Sequence, residues 1–355
     1  MLILGARDVR DILNGRQLEA VEIVEQAYRA HACGRTSVPH SQFLTFPDDP
    51  ANRIIALPAY VRSGQEMAGI KWVSSFPANI GVGMDRASAV VILNSSTTGQ
   101  PHAILEASAI SSQRTAASAA LAASKLHSDP SEPGAGFVGC GVINFEIVNF
   151  LVATRPALHR LTIFDLDERR AVQFRQKCLL AFPDLVVNIS GSIQEVIRRN
   201  SLVSIATTAS VPHIEDLRGC QPGTVILHVS LRDIAPSEIL ASDNVTDDID
   251  HVCRAKTSLH LAEQQVGHRR FIRCSIGEIL TGTVPARRDS KSVVVFSPFG
   301  LGILDISLAT MVYQKAQKHG IGTVIGDFLP SSRPNGQVAA PGPGRELAGG
   351  RVSER

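Results

Sequence analysis

The sequence predicts an α/β protein, and two observations support that prediction. The first is a short apolar run that enters a glycine-rich turn and continues into a helical pattern, Gly136-Phe-Val-Gly-Cys-Gly-Val-Ile-Asn144. The second is a later apolar run that ends in an acid, Leu161-Thr-Ile-Phe-Asp165. Strand, glycine turn, helix, strand and acid in this order are typical of a Rossmann-type βαβ unit that binds a dinucleotide.

Each part of this motif has a physical role in binding a dinucleotide. Gly139 permits the tight turn, and Gly141 lets the backbone approach a pyrophosphate, whose charge suits a helix N-terminus. Asp165 can accept hydrogen bonds from ribose hydroxyls. The turn contributes two further candidate cofactor residues, Val142 and Ile143. Gly or Ala is usual at the third motif position, which here is Asn144, so an ordinary structural turn with two glycines is the alternative interpretation.

Composition sets limits on the class of protein. The 355 residues are 44% hydrophobic and 19% charged, which allows a large buried core in one or two domains. A net charge of only +2 argues against a nucleic-acid surface. No apolar run approaches the roughly 20 residues that span a bilayer, and the N-terminus lacks the charged start of a signal peptide, so we expect a cytoplasmic protein without membrane contact. The 6 cysteines form no CxxC pair and the histidines no HExxH motif, so we expect no metal site.

The N-terminal third predicts a mixed α+β unit. Helical periodicity covers two segments, Asp8–Leu13 and Leu18–Ala32, and the second is followed by Gly34 as a helix stop. Apolar runs predict strands at 53–60, 68–73 and 88–93, and 102–106 is expected to pair back as a hairpin. A long Ala/Ser-rich helix is predicted over 108–126.

From residue 136 onward strands and helices alternate, which predicts a parallel sheet covered on both faces. The candidate strands are 136–139, 161–165, 185–188, 202–206, 224–229 and 293–296. A closing helix is predicted over 304–319. Residues 331–355 are rich in Ser, Pro, Gly and Arg without apolar periodicity, which predicts a disordered tail.

Four basic residues of the N-terminal unit are candidates for chemistry. Lys71 lies within an apolar strand, and alternation places Lys71 and Trp72 on opposite faces. A lysine on a cleft face could have a lowered pKa and serve in acid–base catalysis, whereas a lysine on the other face is simply solvated. Arg53, Arg86 and Arg114 can hold carboxylates through their planar forks. The alternative for each arginine is a surface or ion-paired position.

Polar turns after the later strands should meet at the same edge of the sheet, beside the nucleotide. The candidates for cofactor contact at this edge are Thr207, Thr208, Ser230 and Gly300. Arg232 and Asp233 follow the same strand as Ser230.

Several motifs together resemble the ornithine cyclodeaminase/mu-crystallin family. They are Gly69-Ile-Lys-Trp-Val-Ser-Ser-Phe-Pro77, the turn Thr98-Gly-Gln-Pro101, Arg114-Thr-Ala-Ala-Ser118, Val138-Gly-Cys-Gly-Val-Ile143 and Phe164-Asp165. The resemblance covers about residues 1 to 325. It implies a Rossmann-type NAD domain, residues 119–303, inserted in an α+β substrate and dimerisation domain, residues 1–118 with 304–330. It also implies a homodimer.

The resemblance further implies residue roles. Lys71 would be the active-site lysine, Arg53 and Arg114 would hold the substrate α-carboxylate, and Gly139, Gly141 and Asp165 would hold NAD. The cyclising members carry an acid where this chain has Ala56, and their catalytic aspartate lies in a Gly-Gly-Asp-x-Pro context. Asp233, in Ser230-Leu-Arg-Asp-Ile-Ala-Pro236, is the candidate for that place.

The segments Lys71–Asn79 and Asp85–Asn94 most resemble one branch, the dehydrogenases of N-(2-amino-2-carboxyethyl)-L-glutamate in 2,3-diaminopropionate biosynthesis, and His228–Pro236 and Asp247–His251 fit this branch as well. Extra arginines at 86 and 232 would suit a substrate with three carboxylates. We therefore expect an NAD-dependent oxidoreductase acting on a C–N bond. The alternatives are a cyclodeaminase, ketimine reductase or amino-acid dehydrogenase of the family, or a non-catalytic NAD- or ligand-binding protein like mu-crystallin.

Overall fold

The computed structural model describes residues 1–330, which form two sheets joined by long helices. The predicted tail, residues 331–355, lies outside the described residues. Within residues 1–330, no helix is both long and apolar enough to cross a membrane.

The first sheet and its helices come from the start of the chain. In order, the elements are β1 (Leu2–Leu4), α1 (Ala6–Leu13), α2 (Gln17–Ala32), β2 (Thr36–Ser37), β3 (Gln42–Phe46), β4 (Asp49–Ser63), β5 (Gln65–Ser75), a 3₁₀ helix (Pro77–Val82), β6 (Ala87–Asn94), β7 (Pro101–Glu106) and α3 (Ser108–Leu126). The strand order is β16-β1-β7-β6-β5-β4-β2, where β16 (Thr323–Val324) is the last strand of the described chain, and β3 also pairs with β4. The central pairs β4–β5, β5–β6 and β6–β7 are antiparallel.

β4 is much longer than the strand predicted over 53–60, and it contains Pro58. A proline cannot donate to a ladder, so it needs a strand edge. On one side β4 pairs with β3 up to Ala56 and with β2 from Tyr60 onward, so Pro58 lies opposite the gap between these two short strands. The sequence pattern missed this extension because two short edge strands pair with different parts of one long strand.

Among the described residues, the second sheet contains parallel strands only. Its elements are β8 (Gly134–Val138), α4 (Val142–Thr154), β9 (Arg160–Phe164), α5 (Glu168–Ala181), β10 (Val186–Ile189), α6 (Ile193–Arg199), β11 (Leu202–Ile205), β12 (Val225–His228), α7 (Pro236–Ala241), β13 (Asp243–Thr246), α8 (Ile249–Val252), α9 (Ser258–Val266), β14 (Ile272–Ser275), α10 (Ile276–Leu280) and β15 (Val294–Ser297). The strand order is β10-β9-β8-β11-β12-β15-β13-β14.

This order has its switch point at β8, because β9 and β11 lie on opposite sides of that strand. Ligands of open α/β sheets bind outside the carboxyl ends of the strands at such a point. The chain leaves β8 directly into Gly139, so the topology places the predicted nucleotide turn at the expected position.

Two helices join the sheets. α3 packs against α2 and α4, and its many alanines, including the buried Ala116, Ala119 and Ala120, permit close helix packing. The last helix, α11 (Gly302–His319), follows β15 of the second sheet but packs on β4 and β5 of the first. The first turn of α11 therefore lies where the two sheets meet.

Candidate active site

The glycine turn has the backbone geometry that a dinucleotide requires. Gly139 has φ +90°, and a Cβ there would lie 2.4 Å from the carbonyl oxygen of Ala206, so only glycine fits. Gly141 precedes the first residue of α4, and a Cβ at this position would meet only the Arg170 Nη2 atom, at 3.9 Å. The space above the α4 N-terminus is thus open, and its unpaired backbone N–H groups suit a pyrophosphate.

Asn144 at the third motif position is fully buried and stabilises the turn. Its amide nitrogen donates to the carbonyl oxygens of Val138 at 2.9 Å and Gly139 at 2.6 Å, while its oxygen accepts from the Ser204 hydroxyl at 2.7 Å. These bonds join β8, the turn and β11. Asn144 therefore supports the turn by hydrogen bonding, where a glycine would support it by close packing.

Asp165 directly follows β9 beside the same turn. One carboxylate oxygen accepts from the Cys140 backbone N–H at 2.7 Å, and the other accepts from the Asp167 N–H at 3.0 Å. Each oxygen has a second lone pair available for a ribose hydroxyl. The residues present therefore fit a bound NAD. Of the other predicted cofactor residues here, Val142 is 63% exposed at the start of α4 and Ile143 is half-buried.

Asp233 lies at the centre of a buried hydrogen-bonding network after β12. Thr207 and Ser230 donate their hydroxyls to its carboxylate, and His228 Nε2 lies 3.2 Å from it. Burial alone raises the pKa of Asp233, but the bonds from His228, Ser230 and Thr207 outweigh it and hold the pKa at about 2. The structure brings Asp233, Thr207 and Ser230 together as predicted neighbours, whereas Thr208 is exposed.

Lys71 lies on the buried face of β5, with 2% exposure, whereas Trp72 is 44% exposed on the opposite face. The Lys71 ammonium contacts both carboxylate oxygens of Asp305, each at 2.9 Å, and donates to the Ser111 hydroxyl at 3.1 Å. Burial, followed by the nearby Arg114 guanidinium, lowers the pKa of Lys71 to about 8 although Asp305 opposes that change. A lysine with this pKa can exchange protons near neutral pH.

Arg114 shares the same carboxylate. Its Nε donates to Asp305 Oδ1 at 3.1 Å, and its two terminal nitrogens have no acceptor among the residues the structure describes. Gly300 packs against this guanidinium: φ there is +94°, and a Cβ would lie 2.7 Å from Arg114 Nη1. The terminal nitrogens are therefore available for a substrate carboxylate beside Lys71.

Arg53, Arg86 and Arg232 form a second group of cations, here called the arginine group. None of the three pairs with a carboxylate of residues 1–330, and the buried Arg53 Nε has no partner there. Within residues 1–330, Arg232 donates only to the Ala255 carbonyl, at 2.8 Å. Burial, and then repulsion by Arg53, lowers the pKa of both Arg86 and Arg232. Arg86 and Arg232 therefore both lie near enough to Arg53 for its charge to influence them.

Strand register relates the arginine group to Lys71. Lys71 lies opposite Leu57 and Ser75 lies opposite Arg53, so Arg53 and Lys71 project from the same face of the sheet. Four strand positions separate the two places, a distance of roughly 13 Å along the sheet. By the same register, Ala56 lies opposite Trp72 on the other face. Ala56, which stands where the cyclising members carry an acid, therefore does not face the Lys71 site.

Two buried aspartates were not identified as functional residues from the sequence. Asp305 is the only charged residue in the apolar segment 301–312, and an acid in such a buried segment needs a cationic partner. Asp247 is fully buried and accepts the backbone N–H groups of Phe299 and Gly300, at 2.8 and 2.7 Å. It fixes the loop that contacts Arg114.

The sequence is similar to one protein family and to several characterised enzymes. The sequence model of the ornithine cyclodeaminase/mu-crystallin family matches residues 2–320. The N-((2S)-2-amino-2-carboxyethyl)-L-glutamate dehydrogenase of Staphylococcus aureus is 28% identical over 333 residues, which cover 92% of this chain and 98% of that protein. The alanine dehydrogenase of Archaeoglobus fulgidus is 29% identical over 336 residues, with the same coverage of 92% and 98%.

Solved structures share the whole fold. The Delta(1)-pyrroline-2-carboxylate reductase of Thermococcus litoralis, in complex with NADH and L-proline, superposes with a TM-score of 0.85 at 24% identity, over 92% of this chain and 100% of that chain. An archaeal alanine dehydrogenase dimer with bound NAD gives 0.82 at 25% identity, over 92% and 99%. The predicted α/β fold is confirmed, and an NAD-dependent oxidoreductase is confirmed at the level of the family. The chain belongs to the ornithine cyclodeaminase/mu-crystallin family.

Proposed function

We propose that the enzyme catalyses the NAD-dependent oxidative cleavage of N-(2-amino-2-carboxyethyl)-L-glutamate to 2,3-diaminopropionate and 2-oxoglutarate. The observation that carries this proposal is the arginine group, in which three half-buried guanidiniums form no ion pair with residues 1–330. Like charges held together out of bulk water are stabilised when an anion binds between them. A substrate with three carboxylates supplies that negative charge, whereas alanine or proline supplies one carboxylate.

The spacing of the cations favours two separate carboxylate-binding positions. Arg114 is directly beside Lys71 through their common partner Asp305, so it takes the carboxylate next to the reacting carbon. Arg53 lies roughly 13 Å further along the sheet, with Arg86 and Arg232 as electrostatic neighbours. These three bind the remaining carboxylates of an extended substrate.

Lys71 is the proposed proton carrier. In the overall reaction the secondary amine, NAD⁺ and water give 2,3-diaminopropionate, 2-oxoglutarate, NADH and a proton. Bound NAD⁺ would accept the hydride from the glutamate Cα. Lys71 in its neutral form removes the ammonium proton of the substrate so that the nitrogen lone pair can form the imine, and this proton then passes to solvent as the proton released in the overall reaction. Neutral again, Lys71 accepts a proton from the water that hydrolyses the imine and returns it to the departing nitrogen of 2,3-diaminopropionate. With a pKa of about 8, about a tenth of the lysine is neutral at pH 7.

The cofactor would lie along the carboxyl edge of the second sheet. Gly139, Gly141, Val142, Ile143 and Asp165 form the proposed phosphate and ribose site. Thr207, Thr208, Ser230 and Gly300 border the proposed nicotinamide site. Asp233, held by two of these hydroxyls, is proposed to fix their orientation.

The outer face of the first sheet supports a homodimer. Trp72 is 44% and Val90 is 38% exposed, and the two residues are cross-strand partners on β5 and β6. Ile70 and Ile92 pair beside them on the same face. A contiguous apolar patch on one face of a sheet marks an interaction surface, and a second copy of the chain is the proposed occupant.

The product 2,3-diaminopropionate would serve as an amino-acid building block, and we propose a cytoplasmic role in siderophore or peptide antibiotic biosynthesis. Purified enzyme with NAD⁺ and N-(2-amino-2-carboxyethyl)-L-glutamate should release NADH and 2-oxoglutarate in equal amounts. A parallel panel of alanine, proline and ornithine tests the other activities of the family. Faster turnover of any member of that panel would contradict the proposed substrate.

A further inference from the structure

Asp305 is the only anion in contact with either Lys71 or Arg114 among the residues described. It lies in the first turn of α11, is fully buried, and its neighbours in sequence Leu304 and Ile306 are fully buried as well. A carboxylate in such surroundings remains ionised only if cations and hydrogen-bond donors compensate it. Two cations perform that task here.

Two cations share the Asp305 carboxylate, so Asp305 keeps one cationic partner when Lys71 loses its proton. When Lys71 is protonated, the three side chains carry a net charge of +1. When Lys71 is neutral, Arg114 and Asp305 still form a charge-balanced pair at 3.1 Å. Lys71 can therefore lose its proton without leaving a buried carboxylate unpaired, which is the property that a proton-exchanging lysine requires.

We propose that Asp305 is a positioning residue, which orients the Lys71 amine and the Arg114 guanidinium and which favours the protonated form of Lys71 against the repulsion of Arg114. This inference rests on the proposed function in one respect, that Lys71 exchanges protons with the substrate. Asp305 itself contacts no substrate and transfers no proton. It acts through the two residues that do.

Other ionisable groups near the cluster are held in fixed partnerships. Tyr28 of α2 hydrogen-bonds Ser118 at 2.8 Å, and burial raises its pKa far above the ordinary value. Asp247 is bound by the amides of Phe299 and Gly300, and burial raises its pKa as well. Near neutral pH, proton exchange in the cluster is therefore assigned to Lys71.

Two substitutions should move the titration of Lys71 in opposite directions. Asp305→Asn removes the attraction and leaves the repulsion of Arg114, so the Lys71 pKa should fall by about one to three units. Arg114→Gln removes the repulsion and leaves the attraction, so the pKa should rise. If the role of Asp305 were purely structural, the Lys71 pKa would rise in both variants, because loosened packing would let water reach the lysine.

The experiment is an NMR titration of lysine side chains in the full-length enzyme labelled with ¹³C-lysine, without substrate. The Lys71 signal is assigned by its loss in Lys71→Arg. Ser111→Ala is the matched control, because it removes one uncharged partner of the ammonium. If Asp305→Asn folds poorly, Asp305→Glu, which keeps the charge, should retain a titration midpoint near the wild-type value while slowing turnover through misplaced geometry.

The proposal is supported if the Lys71 midpoint falls in Asp305→Asn and rises in Arg114→Gln. An unchanged or raised Lys71 midpoint in folded Asp305→Asn would overturn the proposal. So would a Lys71 midpoint in Asp305→Glu that differs from the wild-type value as much as the midpoint in Asp305→Asn does. Because the titration needs no substrate, failure of the enzyme to oxidise N-(2-amino-2-carboxyethyl)-L-glutamate would refute the proposed function alone.

Discussion

Replacement of Arg86 by glutamine isolates the role of the arginine group in substrate binding. The side chain of Arg86 is half-buried and makes no hydrogen bond or ion pair with residues 1–330. Its substitution therefore removes no hydrogen bond or ion pair of the protein, and it relieves repulsion from Arg53 and Arg170. The ligand-free melting temperature should stay the same or increase slightly, since the substitution removes a half-buried cation that is repelled by its neighbours.

The loss should appear in substrate binding. A charge-assisted hydrogen bond to a carboxylate contributes about 1.5–3 kcal/mol, and a factor of ten in binding corresponds to about 1.4 kcal/mol. Arg86→Gln should therefore raise KM for the tricarboxylate about 10- to 100-fold. The value of kcat should change less, because Arg86 is distant from the Lys71 cluster in the proposed site.

A double-mutant cycle, in which Arg86 and one substrate carboxylate are changed separately and together, measures the contact between them. NADH formation is followed for wild type and Arg86→Gln, with the tricarboxylate and with analogues in which one carboxylate is an amide. Arg86 should lose its effect with the analogue that lacks its partner carboxylate. Arg169→Gln is the matched control, because that arginine is 89% exposed and pairs with Asp167. An equal KM increase with every analogue, or none with the tricarboxylate, would refute the assignment.

Four further predictions follow from the same geometry. Lys71→Met should abolish turnover while calorimetry still detects NAD binding; surviving turnover would make the lysine structural. The kcat/KM of oxidation should rise with pH through about 8, because burial and Arg114 lower the Lys71 pKa to that value and only the neutral amine accepts a proton; a profile flat from pH 6 to 10 would contradict this role. Wild type should prefer NAD over NADP and Asp165→Asn should narrow the preference at least tenfold in kcat/KM, since a carboxylate repels a 2′-phosphate; equal wild-type turnover of both cofactors would disprove it. Trp72→Glu should convert a dimer to a monomer in light scattering, and an unchanged mass would exclude this face as the interface.

Local sequence patterns encode one part of the site. The glycine turn, its helix and Asp165 are contiguous or nearly so, and their geometry follows from backbone rules. The alternation of side chains along β5 also predicts that Lys71 and Trp72 lie on opposite faces, and Lys71 is buried whereas Trp72 is exposed. Alternation also shows that Ala56 lies on the outer face, but this became visible only when the register of β4 against β5 was known.

The missed parts depend on long-range contacts. Asp305 approaches Lys71 only because α11 returns from the second sheet to the first, which no local pattern reveals. β13 was missed because Asp243 and Asn244 interrupt its apolar pattern. Both are buried: Asp243 accepts from Arg273 at 2.7 Å, and the Asn244 amide donates to the backbone. Buried polar residues of this kind are satisfied by partners that are distant in sequence, so hydropathy alone does not identify the strand.

The most direct test of the account is one stoichiometric assay. Purified enzyme is mixed with excess NAD⁺ and a limiting amount of N-(2-amino-2-carboxyethyl)-L-glutamate, and NADH, 2-oxoglutarate and 2,3-diaminopropionate are quantified. We expect one equivalent of each product per substrate consumed, with alanine and proline turned over far more slowly. Absence of NADH and 2-oxoglutarate, while alanine or proline is oxidised efficiently, would contradict the proposed function.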